Sequence, residues 1–365
     1  MSDLTGIPFV LMRGGTSRGP YFNQQHLPQD RERLKQVLLD VIGSGHPLNI
    51  DGIGGGDAVT TKVAILSQSN DTWADIDYFF AQVSVETRLV DFAPTCGNIL
   101  SGVAAAAVEM GLYTPTGDTT DINIRAVNTG ARVTATIQTP NGHPAYHGDA
   151  RIDGVPGTAA PVLLKFMDVI GSRTGALLPT GNLRDTIDGI EVTCLDVAMP
   201  MVIARATDFG LSGCESCAEL DNNRDFYTRM ESIRQSAGRL MGMGDVSESV
   251  TPKFGVLAPA RHGGSITARY CMPWKTHPSM AVTGSQCLAV CSLMPGTIAD
   301  GLLTRGPACA ADDPPETTVI EHASGQIEVL VDYHFDQHGF QLQSAGLLRT
   351  ARKLAAGHVY VPTEF

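Results

Sequence analysis

Two stretches of this chain are helical by propensity yet have no polar side. The first starts at Cys96-Gly97-Asn98 and runs through Ile99-Leu100-Ser101-Gly102-Val103 and four alanines, meeting no charge until Glu109. The second is Met280-Ala281-Val282-Thr283-Gly284-Ser285-Gln286-Cys287-Leu288-Ala289-Val290. A helix that is small or apolar on every side is buried on every side. So many alanines also let the surrounding elements come close. Each stretch therefore reads as a helix enclosed by a curved sheet.

What surrounds these helices recurs. A strand over Ile7–Met12 enters the loop Arg13-Gly14-Gly15-Thr16-Ser17-Arg18-Gly19. A helix is expected from Asp30 to Ile42, with Leu34, Val37, Leu38 and Val41 on one face and Gly43 ending it. A glycine-rich loop from Asp51 to Thr61 leads to a strand opening on Lys62, then to another over 76–85 and the first buried helix. Strands over 121–127, 131–138 and 145–152 would complete its sheet. The second half repeats this order. It has a strand over Ile190–Asp196, the loop Ala198-Met199-Pro200-Met201, a helix over Phe226–Met241, strands over Phe254–Leu257 and Ile266–Tyr270, and the second buried helix. Thr283-Gly284-Ser285 takes the place of Cys96-Gly97-Asn98. One such recurrence predicts an α+β chain of two related domains, changing over within 175–188 around Pro179-Thr180-Gly181-Asn182. Each half would point a helix N-terminus toward a shared cleft, where free N–H groups and the helix dipole favour carboxylates.

Charge narrows the partners. Formal net charge is −12 over 365 residues, with no run of basic residues. Nucleic acid and anionic membrane surfaces are not expected as partners; a small anion still is. No window has the roughly 18 apolar residues of a membrane span. No N-terminal stretch reads as a signal peptide, so a cytoplasmic location is expected. The eight cysteines are then expected as free thiols. Cys214 and Cys217 have C-x-x-C spacing but no second ligand pair, which gives no zinc site. Cys287 and Cys291 read as buried thiols.

The glycine loops invite a nucleotide and do not fit one. Gly14 to Gly19 has P-loop glycine spacing, but Pro20 and Tyr21 stand where lysine and a hydroxyl residue are needed. Gly52-Ile53-Gly54-Gly55-Gly56-Asp57 lacks the third fingerprint glycine and leads to a strand. Cys96 at a helix N-terminus suits a nucleophile with a histidine base, or a proton carrier. Lys62, among glycines, is either a solvated strand-start residue or a base with a lowered pKa. Arg13 reads as a surface charge or an anion binder, Arg269 as a buried ion pair or a binder, and His277 as a helix cap or a site residue. The residues alone leave these open.

Several long motifs then resemble one family. They are Met12-Arg13-Gly14-Gly15-Thr16-Ser17-Arg18-Gly19, Asp51-Gly52-Ile53-Gly54-Gly55 leading to Lys62-Val63-Ala64, Asn98 within Cys96-Gly97-Asn98, Ile152-Asp153-Gly154-Val155-Pro156-Gly157, and Arg349-Thr350-Ala351-Arg352-Lys353. Together they resemble the 2-methylaconitate cis–trans isomerase family, nearest its 4-oxalomesaconate tautomerase branch of aromatic-acid breakdown. The resemblance implies a diaminopimelate epimerase-like fold: two pseudo-symmetric domains, each a curved, mainly antiparallel sheet around a buried helix. The domains would be 1–184, rejoined by a last strand 356–365, and 185–355. The epimerase's first cysteine matches Cys96; its second position reads Thr283, which makes two-thiol racemisation doubtful.

The resemblance further implies a proton-transfer isomerase of a small unsaturated di- or tricarboxylate. Its substrate would be 4-oxalomesaconate, or alternatively 2-methylaconitate; an epimerase and a non-catalytic polycarboxylate binder remain as other classes. Lys62 and Cys96 would be catalytic. Arg13, Gly14, Gly15, Thr16, Ser17, Gly97, Asn98, Arg269, His277, Thr283 and Gly284 would bind substrate. No cofactor and no metal are implied, and a homodimer is left open.

Overall fold

Residues 3–272, 274–304, 316–337 and 339–363 are described in a computed structural model of the chain. They fall into two units: Met1–Lys165 with Leu348–Phe365, and Phe166–Leu347. The sequence placed the change of unit near 184/185; here it follows Lys165, as the strand Pro161–Phe166 ends.

The first unit contains β1 (Leu4–Gly14), β2 (Ser17–Asn23), α1 (Arg31–Ile42), β3 (Lys62–Gln68), β4 (Ile76–Val83), β5 (Val90–Asp91), α2 (Gly97–Leu100), α3 (Val103–Glu109), β6 (Thr119–Ala126), β7 (Ala131–Gln138) and β8 (Pro161–Phe166). The second contains β9 (Asp185–Ile187), β10 (Ile190–Asp196), β11 (Pro200–Arg205), α4 (Cys217–Asn222), α5 (Arg224–Leu240), β12 (Lys253–Ala258), β13 (Ile266–Cys271), α6 (Val282–Leu293), β14 (Glu316–His322) and β15 (Gly325–Asp336). The last strand, β16 (Gly339–Pro362), begins in the second unit and ends in the first.

The recurrence read from sequence appears as a pairing pattern. In the first unit β1/β2 is antiparallel, β2/β3 parallel, β3/β4 antiparallel, β4/β6 parallel and β6/β7 antiparallel. In the second, β10/β11, β11/β12, β12/β13, β13/β14 and β14/β15 alternate in the same order. A parallel step needs a long crossover, and helices supply it. Helix α1 lies between β2 and β3, and α5 between β11 and β12; the buried helices lie between β4 and β6 and between β13 and β14. Within the first unit, α3 touches β1, β3 and β7, which are not neighbours in the sheet. A sheet whose distant strands meet one helix is curved around it. The same holds for α6, which touches β10, β11, β13, β14 and β15. The fold is α+β, as expected.

Local chemistry sets the elements. Asp30 caps α1 by accepting from Arg33 N at 2.9 Å, and Gly43 ends it at φ 75°. Its apolar face packs Leu34, Val37, Leu38, Val41 and Ile42 on Phe22, Val63, Ile65, Val359 and Val361; each such burial contributes roughly 1.5–3 kcal/mol.

Two expectations need correction. The first buried helix is two pieces, because at Ser101–Gly102 the ladder tightens to Gly102 N→Ile99 O at 3.0 Å while the Tyr21 hydroxyl also donates to Ile99 O. And 145–152 is no strand. Pro144 and Gly148 break the pattern, one bridge joins Ala150 to Ala159, and Pro161–Phe166 forms the next strand instead.

Candidate active site

Lys62 opens β3, directly opposite Gln82 in the β3/β4 register. Its Nζ donates to Gln82 Oε1 at 2.6 Å. Gln82 is itself fixed, its Nε2 donating to Ala58 O at 3.1 Å and to Thr61 Oγ1 at 3.2 Å. Phe80, two residues before Gln82 and so on the same face, places its ring centroid 5.4 Å from Nζ. Lys35 and Lys353 each pair with a glutamate. Lys62 has no carboxylate partner among the described residues; its hydrogen-bond partner is a neutral amide. Half-buried and bonded to Gln82, Lys62 is not the solvated strand-start residue that was one expectation.

The row continues to Cys96. Tyr78 lies 6.4 Å from Phe80, ring to ring, and its hydroxyl donates to Cys96 O at 3.2 Å. Burial first, and then the neighbouring Cys96, push the phenols of Tyr78 and Tyr21 well above their usual range, so both remain neutral donors. Cys96 is the N-cap of α2 and half-buried, and no side chain caps that end. Beside it Gly97 is open: a β-carbon there would meet no atom within 4 Å. Asn98 Nδ2 donates to Thr16 Oγ1 at 3.0 Å, tying α2 to the β1/β2 turn. That turn requires glycine at 15. Gly15 has φ +52°, and a β-carbon there would lie 2.2 Å from Asn98 Oδ1. Gly19 allows β2 to close on β3, since a β-carbon would overlap Lys62 O at 1.7 Å. Gly14 and Ser17 are buried and face each other at the hairpin end.

Arg13 does not join this row. Tyr21 is opposite both Val10 and Ala64, so alternation puts Val10, Met12, Tyr21, Ala64 and Lys62 on one face. Arg13 is one residue out of phase. Its Nη1 donates to Gly15 O at 2.9 Å and Thr350 O at 3.0 Å, and it lines a cavity with Arg18 and Arg352. Burial first, and then the Arg352 charge, lower its pKa.

The second-unit candidates have local partners. Arg269 is buried and bonds carbonyls, Nε to Glu215 O at 2.6 Å and Nη1 to Ala268 O at 2.9 Å, where an ion pair was one expectation. His277 caps no helix: its Nδ1 accepts from Ser279 N at 3.0 Å, and its ring lies edge-on to Tyr270 at 5.7 Å. Burial lowers its pKa. Thr283 is exposed in the first turn of α6, and Gly284 packs on the Tyr270 ring. Among the described residues no group of three or more His, Cys, Asp or Glu side chains is placed to hold a metal.

Gln82, Tyr78, Arg18 and Arg352 were not among the expected site residues. Counting back from the Gln68/Ile76 end of the β3/β4 pair would have found Gln82 opposite Lys62.

The family model described as PrpF protein matches residues 4–362. The chain belongs to this family. The 4-oxalomesaconate tautomerase of Pseudomonas putida is 43% identical over 98% of this chain and 96% of its own length. An Escherichia coli (strain K12) relative, whose name gives isomerase chemistry and no substrate, is 46% identical over 98% of this chain and 99% of its own. The crystal structure of methylitaconate-delta-isomerase superposes with a TM-score of 0.89 at 32% identity, covering 99% of this chain and 97% of that one. This PrpF-family chain is an isomerase.

Proposed function

We propose that this PrpF-family isomerase moves a proton on 4-oxalomesaconate, with Lys62 as the base. One observation carries the base assignment. Lys62 Nζ rests on the neutral Gln82 amide at 2.6 Å and over the Phe80 ring, in the row that leads to Cys96. A lysine so placed has no carboxylate holding its proton, and that suits an amine which must give the proton up and take another. The substrate assignment rests on the tautomerase relative, whose identity of 43% exceeds the 32% of the methylitaconate enzyme.

The step balances without an outside reagent. The Lys62 amine takes a proton from the carbon beside, or vinylogous to, a carbonyl. The C–H electron pair moves into a dienolate over the substrate's own carbonyls. N–H donors at Gly97–Asn98 stabilise the developing negative charge, and Thr16 braces Asn98. The proton returns at the other carbon, either from the Lys62 ammonium directly or from the Cys96 thiol, whose proton the ammonium then restores through solvent, and the double bond has shifted.

The test is Lys62→Met, assayed by ultraviolet spectra with 4-oxalomesaconate and with 2-methylaconitate. Turnover of the first acid by the unaltered protein and a loss of about 10²–10⁴-fold in the variant are expected. A variant with near-normal kcat would remove Lys62 from the role, and faster turnover of 2-methylaconitate would reassign the substrate.

A further inference from the structure

Arg352, Arg13 and Arg18 form one row across three neighbouring strands. Arg13 is directly opposite Arg352 in β1/β16 and directly opposite Arg18 in β1/β2. Like charges directly opposed destabilise a sheet. Here three guanidinium groups are set side by side in an acidic chain that has carboxylates to spare. None is neutralised: no Asp or Glu lines the cavity they share, and no ion pair among the described residues reaches them. Arg13 is half-buried, held by carbonyl oxygens of Gly15 and Thr350. Gathering cations and partly burying one of them is unfavourable unless an anion completes the set.

The cavity has a volume of about 340 Å³. Thr16, Ser17 and Thr60 line it with the arginines, and Val155, Pro156 and Leu354 give it an apolar side. Adjacent strands are about 4.8 Å apart, so the outer arginines stand on strands about 10 Å apart. A compact oxyanion cannot engage all three forks. Carboxylates spread along a short carbon skeleton can, each taking a planar fork while the carbons rest on the apolar side.

By strand alternation Arg13 and Arg18 face away from Lys62, and neither Lys62, Gln82 nor Cys96 lines the cavity, which shares with that row only the Thr16–Ser17 turn, where Thr16 Oγ1 accepts from Asn98. We infer that this cavity is a second anion site, binding a small polycarboxylate apart from the Lys62 row.

Calorimetric titration of the full chain with tricarballylate tests this, because that tricarboxylate has no double bond and cannot be turned over. The Arg18→Gln/Arg352→Gln protein is expected to bind it at least tenfold more weakly. Inorganic phosphate should bind the unaltered protein at least tenfold more weakly than tricarballylate. The KM for the reacting acid should not change. Equal affinity in both proteins overturns the site, and phosphate binding as tightly as tricarballylate overturns the ligand class. A rise in KM that matches the lost affinity places the cavity in the reacting site and overturns its separateness. Should the double variant fail to fold, Arg352→Lys keeps the charge and loses the fork; unchanged affinity there also overturns the proposal. None of these readings needs turnover to depend on Lys62, so failure of the base assignment shows separately in Lys62→Met.

Discussion

Replacing Gln82 by Glu changes one atom of the group beneath the base and gives it a charge. The amide oxygen now accepts from Lys62 Nζ at 2.6 Å. A carboxylate there would hold the lysine as its ammonium. Opposite unit charges 4 Å apart at an effective dielectric of 20 attract by about 4 kcal/mol. At about 1.4 kcal/mol per decade, the neutral amine would become about a thousandfold scarcer. Half-burial leaves some screening by solvent, so a fall of about 10²–10³ in kcat is expected at neutral pH. The substitution also turns the Nε2 donor to Ala58 O into an acceptor, at a cost of about 1–3 kcal/mol in stability. Two effects therefore have to be separated, and the pH profile does so. If the ammonium is the cause, the deficit in kcat of Gln82→Glu relative to the parent narrows as alkali removes the proton. Structural damage gives no such recovery. Steady-state rates from neutral to alkaline pH, with a denaturation curve for each protein, settle the matter. A Gln82→Glu enzyme within threefold of the original, or one equally poor at every pH, would refute the reasoning about Lys62.

Cys96→Ser should lower kcat less than Lys62→Met does, and rapid-quench intact mass should show no adduct on Cys96; a trapped adduct would make the thiol a nucleophile. Activity should survive exhaustive chelation, because a lysine base and the substrate's own carbonyls complete the proposed step; loss with EDTA and recovery with zinc would contradict this. In the second unit the Glu321 carboxylate accepts from Arg261 N, His262 N, Gly264 N and Thr267 Oγ1 at 2.9, 2.6, 2.9 and 2.7 Å. Burial pushes its pKa up, but these donors hold it down at about 2. Its stabilisation is therefore complete above the unfolded value of about 4.3 and is lost as pH falls through about 2. Glu321→Gln should cost about 2–3 kcal/mol at neutral pH by urea denaturation, with the gap to the parent closing on acidification. A gap that does not change with pH would deny the carboxylate its role.

What could be read in the sequence was what is local or periodic. The face of α1, its Asp30 cap and its Gly43 stop follow from spacing alone. So does the burial of α3 and α6, whose side chains apart from Glu109 and Gln286 are apolar or small all round. Lys62 stood out as a candidate because it follows a glycine loop, and Cys96 because it begins a buried helix. The break at Ser101–Gly102 was hidden, since the Tyr21 hydroxyl that shares Ile99 O there comes from a distant strand. The arginine row was hidden for a similar reason. Arg13 and Arg352 meet by strand register, which no periodicity within either segment reveals. Register also shows that Arg13 faces away from Lys62, although the two stand in motifs that look like parts of one site.

The course of β16 has a consequence for how the chain is made. Val359 and Val361 complete the core under α1, and β1 gains its second partner only from Leu348 onward. All of Phe166–Leu347 must leave the ribosome before that strand exists. At about 5–20 residues per second, the nascent first unit waits roughly 10–40 s with the outer edge of β1 unpaired. Such an edge is a template for pairing with another chain. Translation pauses after β8 should therefore lower the soluble yield, and chaperones that shield strand edges should restore it.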